Sequence, residues 1–379
     1  MARSAHAYVR GNTALFYEWM DDQSGDVIPQ GPPVWIGGDC HVGNLGPLAD
    51  RSGDIRVQIR DLDQTTIGNP AHDLIRLALS LSSAARGSNL PGVTTARILE
   101  GMIDGYESAF ARDFDEEDDH PKSPEAVKLV VQRAEKRTWK HLAEERMAGV
   151  RPDLPLGKKF WPISDEEREA LSALVTSTSI ANLATTLKSR SDDAQVEMLD
   201  AAYWVKGCSS LGHLRYAVLL AVGDSKSGPD EMCLMDLKEA VAPLAPPAQA
   251  GSMPADNAER VVVGAQHLSP FLGERMRATH LLDTSMFVRE LMPQDLKIEL
   301  STLDEAEAIK SAMFLASVVG YAHARQMDVA TRKEWRALLL SNRTKELDAP
   351  TWLWSTTIDL LVRHERQYLE HCRTFALEP

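Results

Sequence analysis

Cysteine is scarce in this 379-residue chain: Cys40, Cys208, Cys233 and Cys372 lie far apart and form no C-x-x-C pair. That spacing speaks against a zinc site or a disulfide framework and fits a reducing compartment. No stretch approaches the roughly 18 consecutive apolar residues that a membrane-spanning helix needs. The opening MARSAHAYVRGN lacks the apolar core of a secretory signal, so a cytoplasmic location without membrane contact is expected. Basic excess is missing as well, with 55 acidic against 41 basic residues and a formal net charge of -14. A non-specific nucleic-acid binder needs a basic face for phosphates, so nucleic acid is not expected as a partner. A nucleotide is compatible with this balance, because a few lysines and one metal ion suffice inside a cleft.

What the chain does have is apolar material for a large core, at 44% hydrophobic and 25% charged residues. Its length exceeds what one core ordinarily covers, which predicts two lobes. A short helix over 14–20 precedes two extended runs, 34–36 and 55–59. From residue 71 the apolar period becomes helical, with Leu74, Leu77, Ala78 and Leu81 on one face. Helices are predicted over 93–110, 124–147 and 165–187, the first two separated by the acidic run 113–119, read as a solvated loop. Strands follow at 203–205, 215–222, 232–237 and 287–291, with a helix over 258–268 between the last two. The end is helical, over 303–327, 332–340 and 352–375. The predicted class is α+β, with a helical lobe over 1–200, a strand-rich lobe over 201–300 and returning helices over 301–379.

The segment Gly38-Asp39-Cys40-His41-Val42-Gly43-Asn44 lies between the first two extended runs, and Asp61-Leu62-Asp63 follows the second. An aspartate and an asparagine five residues apart on a tight loop can project into one cleft, with a further carboxylate beside them. Phosphoryl transfer needs such a set: one carboxylate for the proton of the attacking hydroxyl, and hard oxygen ligands for magnesium on the phosphates. A bare polar turn and a metallophosphoesterase loop are the competing readings. The latter requires downstream metal-binding histidines, and His72 and His120 lack the glycine context for it. His41 reads either as a base or as a loop brace, and Asp63 either as a second metal ligand or as a cap.

GDCHVGN followed by DLD, Pro70 and Asp73-Leu74 resembles the small-molecule kinases of the aminoglycoside phosphotransferase type, whose loop reads roughly H-G-D-x-H-x-x-N. The resemblance implies Asp39 as catalytic base, Asn44 and Asp61 as magnesium ligands, and Asp73 as a buried aspartate tying down the loop. Gly37 stands where that family has a leading histidine. The chain is also similar to the bacterial DUF2252 proteins of unknown function, through YVRG, GDCHVGNLG, RDLDQTTIGNPAHDLIRLALS, KGCSSLG, DLKEA and YAHAR.

Nothing like a nucleotide clamp precedes Asp39, so its candidates come later. Gly207, Ser209, Ser210 and Gly212 sit between two predicted strands, where a glycine hairpin could cover phosphates; no G-K-[ST] follows, so it is not a P-loop. Lys238 ends a strand, at the position of the kinase strand lysine. The 258–268 helix would stand for the helix after that strand, with Glu259 as its glutamate. FVRELMPQ, with Glu290 and Met292, would form the hinge that reads adenine. The expected architecture is thus a circularly permuted, two-lobed, protein-kinase-like fold binding ATP and Mg2+ and phosphorylating an unidentified hydroxyl acceptor. AMP transfer in the same cleft, or a catalytically silent nucleotide-binding regulator, are the alternatives.

Overall fold

A computed structural model describes residues 4–23, 27–88, 90–111, 123–147, 153–206, 212–223, 232–248, 253–298, 304–341, 343 and 348–375. The chain opens with α1 (Ala5–Arg10) and α2 (Thr13–Asp21), whose N-caps Ser4 and Asn12 each accept a backbone N–H of the first turn. Two small antiparallel pairs follow. Strand β1 (Val34–Ile36) will pair with β4, and β2 (Leu45–Ala49) pairs with β3 (Ile55–Ile59) as a hairpin; β4 spans Thr66–Gly68. The loop between β1 and β2 carries GDCHVGN.

Asn69 caps α3 (Pro70–Gly87) and Pro70 occupies its first turn, where a missing N–H costs nothing. Helix α3 is buried on nearly all sides, between α4 (Gly92–Ser108) and the C-terminal helices. After it come α5 (Glu125–Glu135) and α6 (Trp139–Met147), the short β5 (Phe160–Trp161), α7 (Asp165–Val175) and α8 (Thr178–Ala184). The helices predicted over 124–147 and 165–187 are therefore each broken in two. Extended backbone at Ser177 interrupts the second of them.

Strands β6 (Val196–Trp204), β7 (Arg215–Val222) and β8 (Met232–Glu239) lead through α9 (Asn257–Leu268) and α10 (Pro270–Gly273) to β9 (Met276–Leu281) and β10 (Thr284–Leu291). They form one antiparallel six-stranded sheet in the order β5-β6-β7-β8-β10-β9. The chain ends with α11 (Glu305–Ala324), α12 (Val329–Leu340) and α13 (Thr351–Phe375). Helix α1, strands β2 and β9 and the early half of β6 escaped the period-based reading because each is short or mixed in polarity. The correct statement of the class is α+β.

Both faces of the sheet are covered. Leu171, Val175, Ile180 and Leu183 of α7 and α8 pack on one face, against Val218, Leu220, Met235 and Val288. Trp139, Leu142 and Ala143 of α6 pack on the other, against Trp204, Ala217, Leu219, Leu234 and Leu291. The first strand of this sheet is β5, and the helices that pack on it, α6, α7 and α8, all precede residue 201 in the chain. A larger core joins α3, α4, α9 and α11. Gly101 and Gly105 of α4 and Gly320 of α11 let those two helices touch backbone to backbone, since a Cβ at Gly105 would meet the Met313 carbonyl.

Candidate functional site

The loop after β1 is held by its own helix. Gly37 and Gly38 donate their N–H groups to the Asp73 carboxylate, at 2.7 and 2.9 Å. Asp73 lies fully buried in the first turn of α3, where the helix N-terminus favours a negative charge. His323 of α11 lies 3.2 Å from Asp73 through Nε2, and Tyr106 of α4 lies 2.8 Å from its Nδ1. With the Tyr106 hydroxyl donating to Nδ1, Nε2–H is left to donate to Asp73. Tyr17 of α2 adds a 2.6 Å bond to the Gly38 carbonyl. Gly38 itself has φ +73, and a Cβ there would collide with the Gln64 carbonyl. Four helices therefore fix one loop.

Asp39 then projects into the cleft. Its Oδ1 accepts from Arg76 Nε at 2.8 Å, and its backbone carbonyl accepts from Asn44 Nδ2 at 3.0 Å. That second bond orients the Asn44 amide and leaves its oxygen available as a ligand. His41 is buried, with Nε2 3.8 Å from Asp39 Oδ2. Burial pulls the imidazole down to about 4, against the attraction of Asp39, so it is neutral at pH 7.

From the sheet, Lys238 of β8 reaches the turn after β3. It is 8% exposed, its Nζ stands 3.8 Å from Asp61 Oδ1, and it forms a closer ion pair with Asp63. Burial would raise the Asp61 carboxyl, but Lys238, Arg289 and Arg215 outweigh it and hold the group well below the usual carboxylate range. Burial lowers the Lys238 ammonium, with Asp61 pulling the other way. The Asp61 side chain stays 43% exposed, opening into a cleft of about 300 Å³ that Asp39, Asn44, Asp63, Lys238 and His213 also line. Its far wall is the α1–α2 turn and Val241 to Leu244.

A family model described as "Uncharacterized protein conserved in bacteria (DUF2252)" matches residues 1–374. The chain belongs to the DUF2252 family. No curated protein and no solved structure matches it.

Several residues of this DUF2252 chain lie away from the place the sequence suggested. Glu259 is exposed in the first turn of α9, and the carboxylates beside Lys238 are Asp61 and Asp63 instead. The helix turns the neighbouring Arg260 inward, onto the carbonyls of Thr65, Asp63 and Val241. Glu290 pairs with Arg190 at 2.9 Å, because strand alternation puts it on the face opposite Arg289. Met292 packs with Ala49 and Leu187. Neither lines the cleft, so the adenine hinge read from FVRELMPQ is not formed there. Gly212 is a turn glycine with φ +87 and open space around it. Gly207, Ser209 and Ser210 lie outside the described residues.

Two groups went unnoticed in the sequence. Arg76 is one, and its signal was a charge inside the apolar stretch Leu74 to Leu79 of α3. The other is the buried cluster Arg215–Asp236–Arg289 on the sheet face of Lys238. Asp236 accepts from Arg215 at 2.7 and 2.6 Å and from Arg289 at 3.2 Å, and the two guanidinium groups hold it well below its usual range although burial opposes them. Its signal was an aspartate in the apolar run MCLMDLK.

Among the described residues, no set of three or more His, Cys, Asp and Glu side chains is placed to hold a metal, and no helix is long and apolar enough to cross a membrane. The Asn44 amide oxygen and the Asp61 carboxylate do present two hard oxygen donors to one cleft. That set suits magnesium, which commonly takes one or two protein carboxylates and completes its shell with phosphate oxygens and water.

Proposed function

We propose that this cleft transfers the γ-phosphoryl group of ATP to a hydroxyl, in a circularly permuted kinase-like arrangement of two lobes. The observation that carries the reading is Lys238 beside Asp61, with Asp39 and Asn44 on the same cleft. A long hairpin, a lysine on the next strand and then a helix (β6, β7, β8, α9) follow the order of a kinase nucleotide lobe. The catalytic loop comes before this lobe in the chain, and helix α11, which bonds Asp73 through His323, comes after it.

Each residue has a part in that reaction. Asp39 accepts the proton as the acceptor oxygen forms its bond to the γ-phosphorus and the bond to the β–γ bridging oxygen breaks, releasing ADP. Lys238 sits among carboxylates, where it would neutralise the charge of the phosphates. Asn44 and Asp61 would hold magnesium, which when bound offsets phosphate charge and orients the chain of phosphates. Asp63 and Asp61 keep the Lys238 ammonium in place between turnovers.

One observation favours a second reading, AMP transfer. Among the described residues, the sheet face behind Lys238 offers no apolar slot for a purine: Arg215, Asp236 and Arg289 fill it, α6 covers the rest, and the space beside Arg289 and Met292 is only about 20 Å³. A nucleotide seated with its phosphates toward those arginines would present the α-phosphorus to the acceptor. Incubation with magnesium and either γ- or α-labelled ATP, on the protein itself and on a panel of hydroxyl compounds, separates the two. Transfer of the γ label supports phosphorylation, transfer of the α label supports AMP transfer, and transfer of neither removes both.

A further inference from the structure

Arg76 is an expensive residue to place where it is. It is fully buried in α3 among Ile75, Leu77 and Leu79, and a guanidinium removed from water is destabilising unless it is paired. Its bonds all run toward the catalytic loop or toward the segment that covers it. Nε donates to Asp39 Oδ1 at 2.8 Å, and Nη2 donates to the Val9 carbonyl at 2.9 Å in the last turn of α1. The guanidinium also lies 5.4 Å from the centre of the Phe16 ring on α2. Nη1 is buried and has no hydrogen-bond partner.

Only one oxygen of Asp39 is engaged in this way. Oδ1 is held by the buried arginine, whereas Oδ2 has the neutral His41 imidazole 3.8 Å away and belongs to a side chain that lines the cleft. The carboxylate cannot rotate without breaking the Arg76 bond. We infer that Arg76 is a positioning residue that locks Asp39 so that Oδ2 is the oxygen presented to the acceptor hydroxyl. The inference rests on the phosphotransfer reading above.

The same geometry gives the YVRG segment a task. Val9 supplies the carbonyl that anchors Arg76 from outside the loop. Arg10 lies with its guanidinium directly on Gly43, where any Cβ would strike it. Helix α1 thus grips the catalytic loop at two points, through Arg76 behind Asp39 and through Arg10 over Gly43. A residue that merely filled the core would have no reason to carry a charge or to reach both partners.

The test compares full-length wild type with Arg76→Lys and Arg76→Ala, measuring kcat, KM for ATP and the thermal shift given by Mg–ATP. Misplacing a reacting group by about 1 Å can cost ~100-fold in rate. For Arg76→Ala the expected result is a fall in kcat of about that size, with KM for ATP and the Mg–ATP shift within roughly twofold of wild type. Added guanidinium chloride at low millimolar concentration is expected to restore part of the rate in Arg76→Ala and none in Asp39→Asn. Arg76→Lys keeps the charge but cannot span both Asp39 and Val9, so its kcat should fall at least about tenfold; it decides the matter if the alanine variant does not fold. Wild-type kcat in Arg76→Lys, or loss of ATP binding in step with kcat, overturns the assignment. Wild-type protein that transfers no label from ATP would instead remove the phosphotransfer reading, and the role of Arg76 with it.

Discussion

Lys238 and Asp61 face each other at 3.8 Å across one cleft, although β8 and the turn after β3 lie on either side of helices α3 to α8 in the chain. The sheet and the turn after β3 therefore meet through charge. Substituting Lys238 by Met should lower transfer by at least about 100-fold, since a preorganised cation at developing phosphate charge contributes on that scale. It should also lower stability by about 1–3 kcal/mol, because Asp61 and Asp63 lose their shared counter-charge while staying partly open to water. Transfer assays and urea unfolding read the two effects separately; unchanged turnover would mean that Lys238 is a structural ion-pair partner only.

Asp39→Asn keeps an oxygen that can accept from Arg76, so its fold should survive. Loss of the base should lower kcat by roughly 10²–10⁴-fold. Affinity for Mg–ATP, measured by calorimetry, should stay close to that of wild type. A variant with wild-type turnover would show that another group takes the proton.

Two buried histidines give the stability a pH dependence. Burial lowers both His41 and His364 to about 4, and His364 is 1% exposed. The unfolded chain takes up a proton near pH 6.5 while the folded protein does not until about 4, so stability is present above 6.5 and falls as pH drops through that window. At pH 5 the loss is about 2 kcal/mol for each histidine. Urea midpoints at pH 7.5 and pH 5.0 should therefore differ less in His364→Gln than in wild type. An equal drop in both would show that His364 contributes nothing to the pH dependence.

Much of the placement of the loop residues was legible, and the reason is local. Asp39, Asn44, Asp61 and Asp73 lie within one continuous stretch whose glycines, turns and N-cap declare their own geometry, and the structure brings all four around a single loop. The helix carrying Asp73 was readable from its apolar period alone. Lys238 could be placed because a strand pattern ends on it. Glu259, Glu290 and Met292 could not, because whether a side chain turns inward depends on the phase of its helix or strand against a neighbour. That phase puts Arg260 inward in place of Glu259, and Glu290 on the far face of the sheet. Arg76 and Asp236 were hidden for the opposite reason: a single charge in an apolar run identifies no partner until the fold supplies one. The breaks at 136–138 and 176–177 were invisible to periodicity, since the apolar residues on both sides keep helical spacing.

The α4–α11 contact offers a test of the helical core alone. An added methyl at Gly105 would press on the Met313 backbone, which cannot move as a flexible side chain can. Gly105→Ala should destabilise by about 1–3 kcal/mol. Gly87→Ala, where a Cβ meets open space, should be neutral or stabilising by up to about 1 kcal/mol. Guanidinium chloride midpoints order the two; the reverse order would contradict the packing of these helices.

In the proposed reading, the cleft between Asp39 and Lys238 seats the phosphates of a nucleotide. Thermal unfolding of the full chain with Mg–ATP, against magnesium alone, tests it most directly. Ligand at about 100 times its Kd adds roughly 2.7 kcal/mol to the folded state. Wild type should therefore show a clear rise in Tm with Mg–ATP and none with magnesium alone, and Lys238→Met should lose that rise. No rise in wild type at millimolar Mg–ATP, or an undiminished rise in Lys238→Met, would contradict the account.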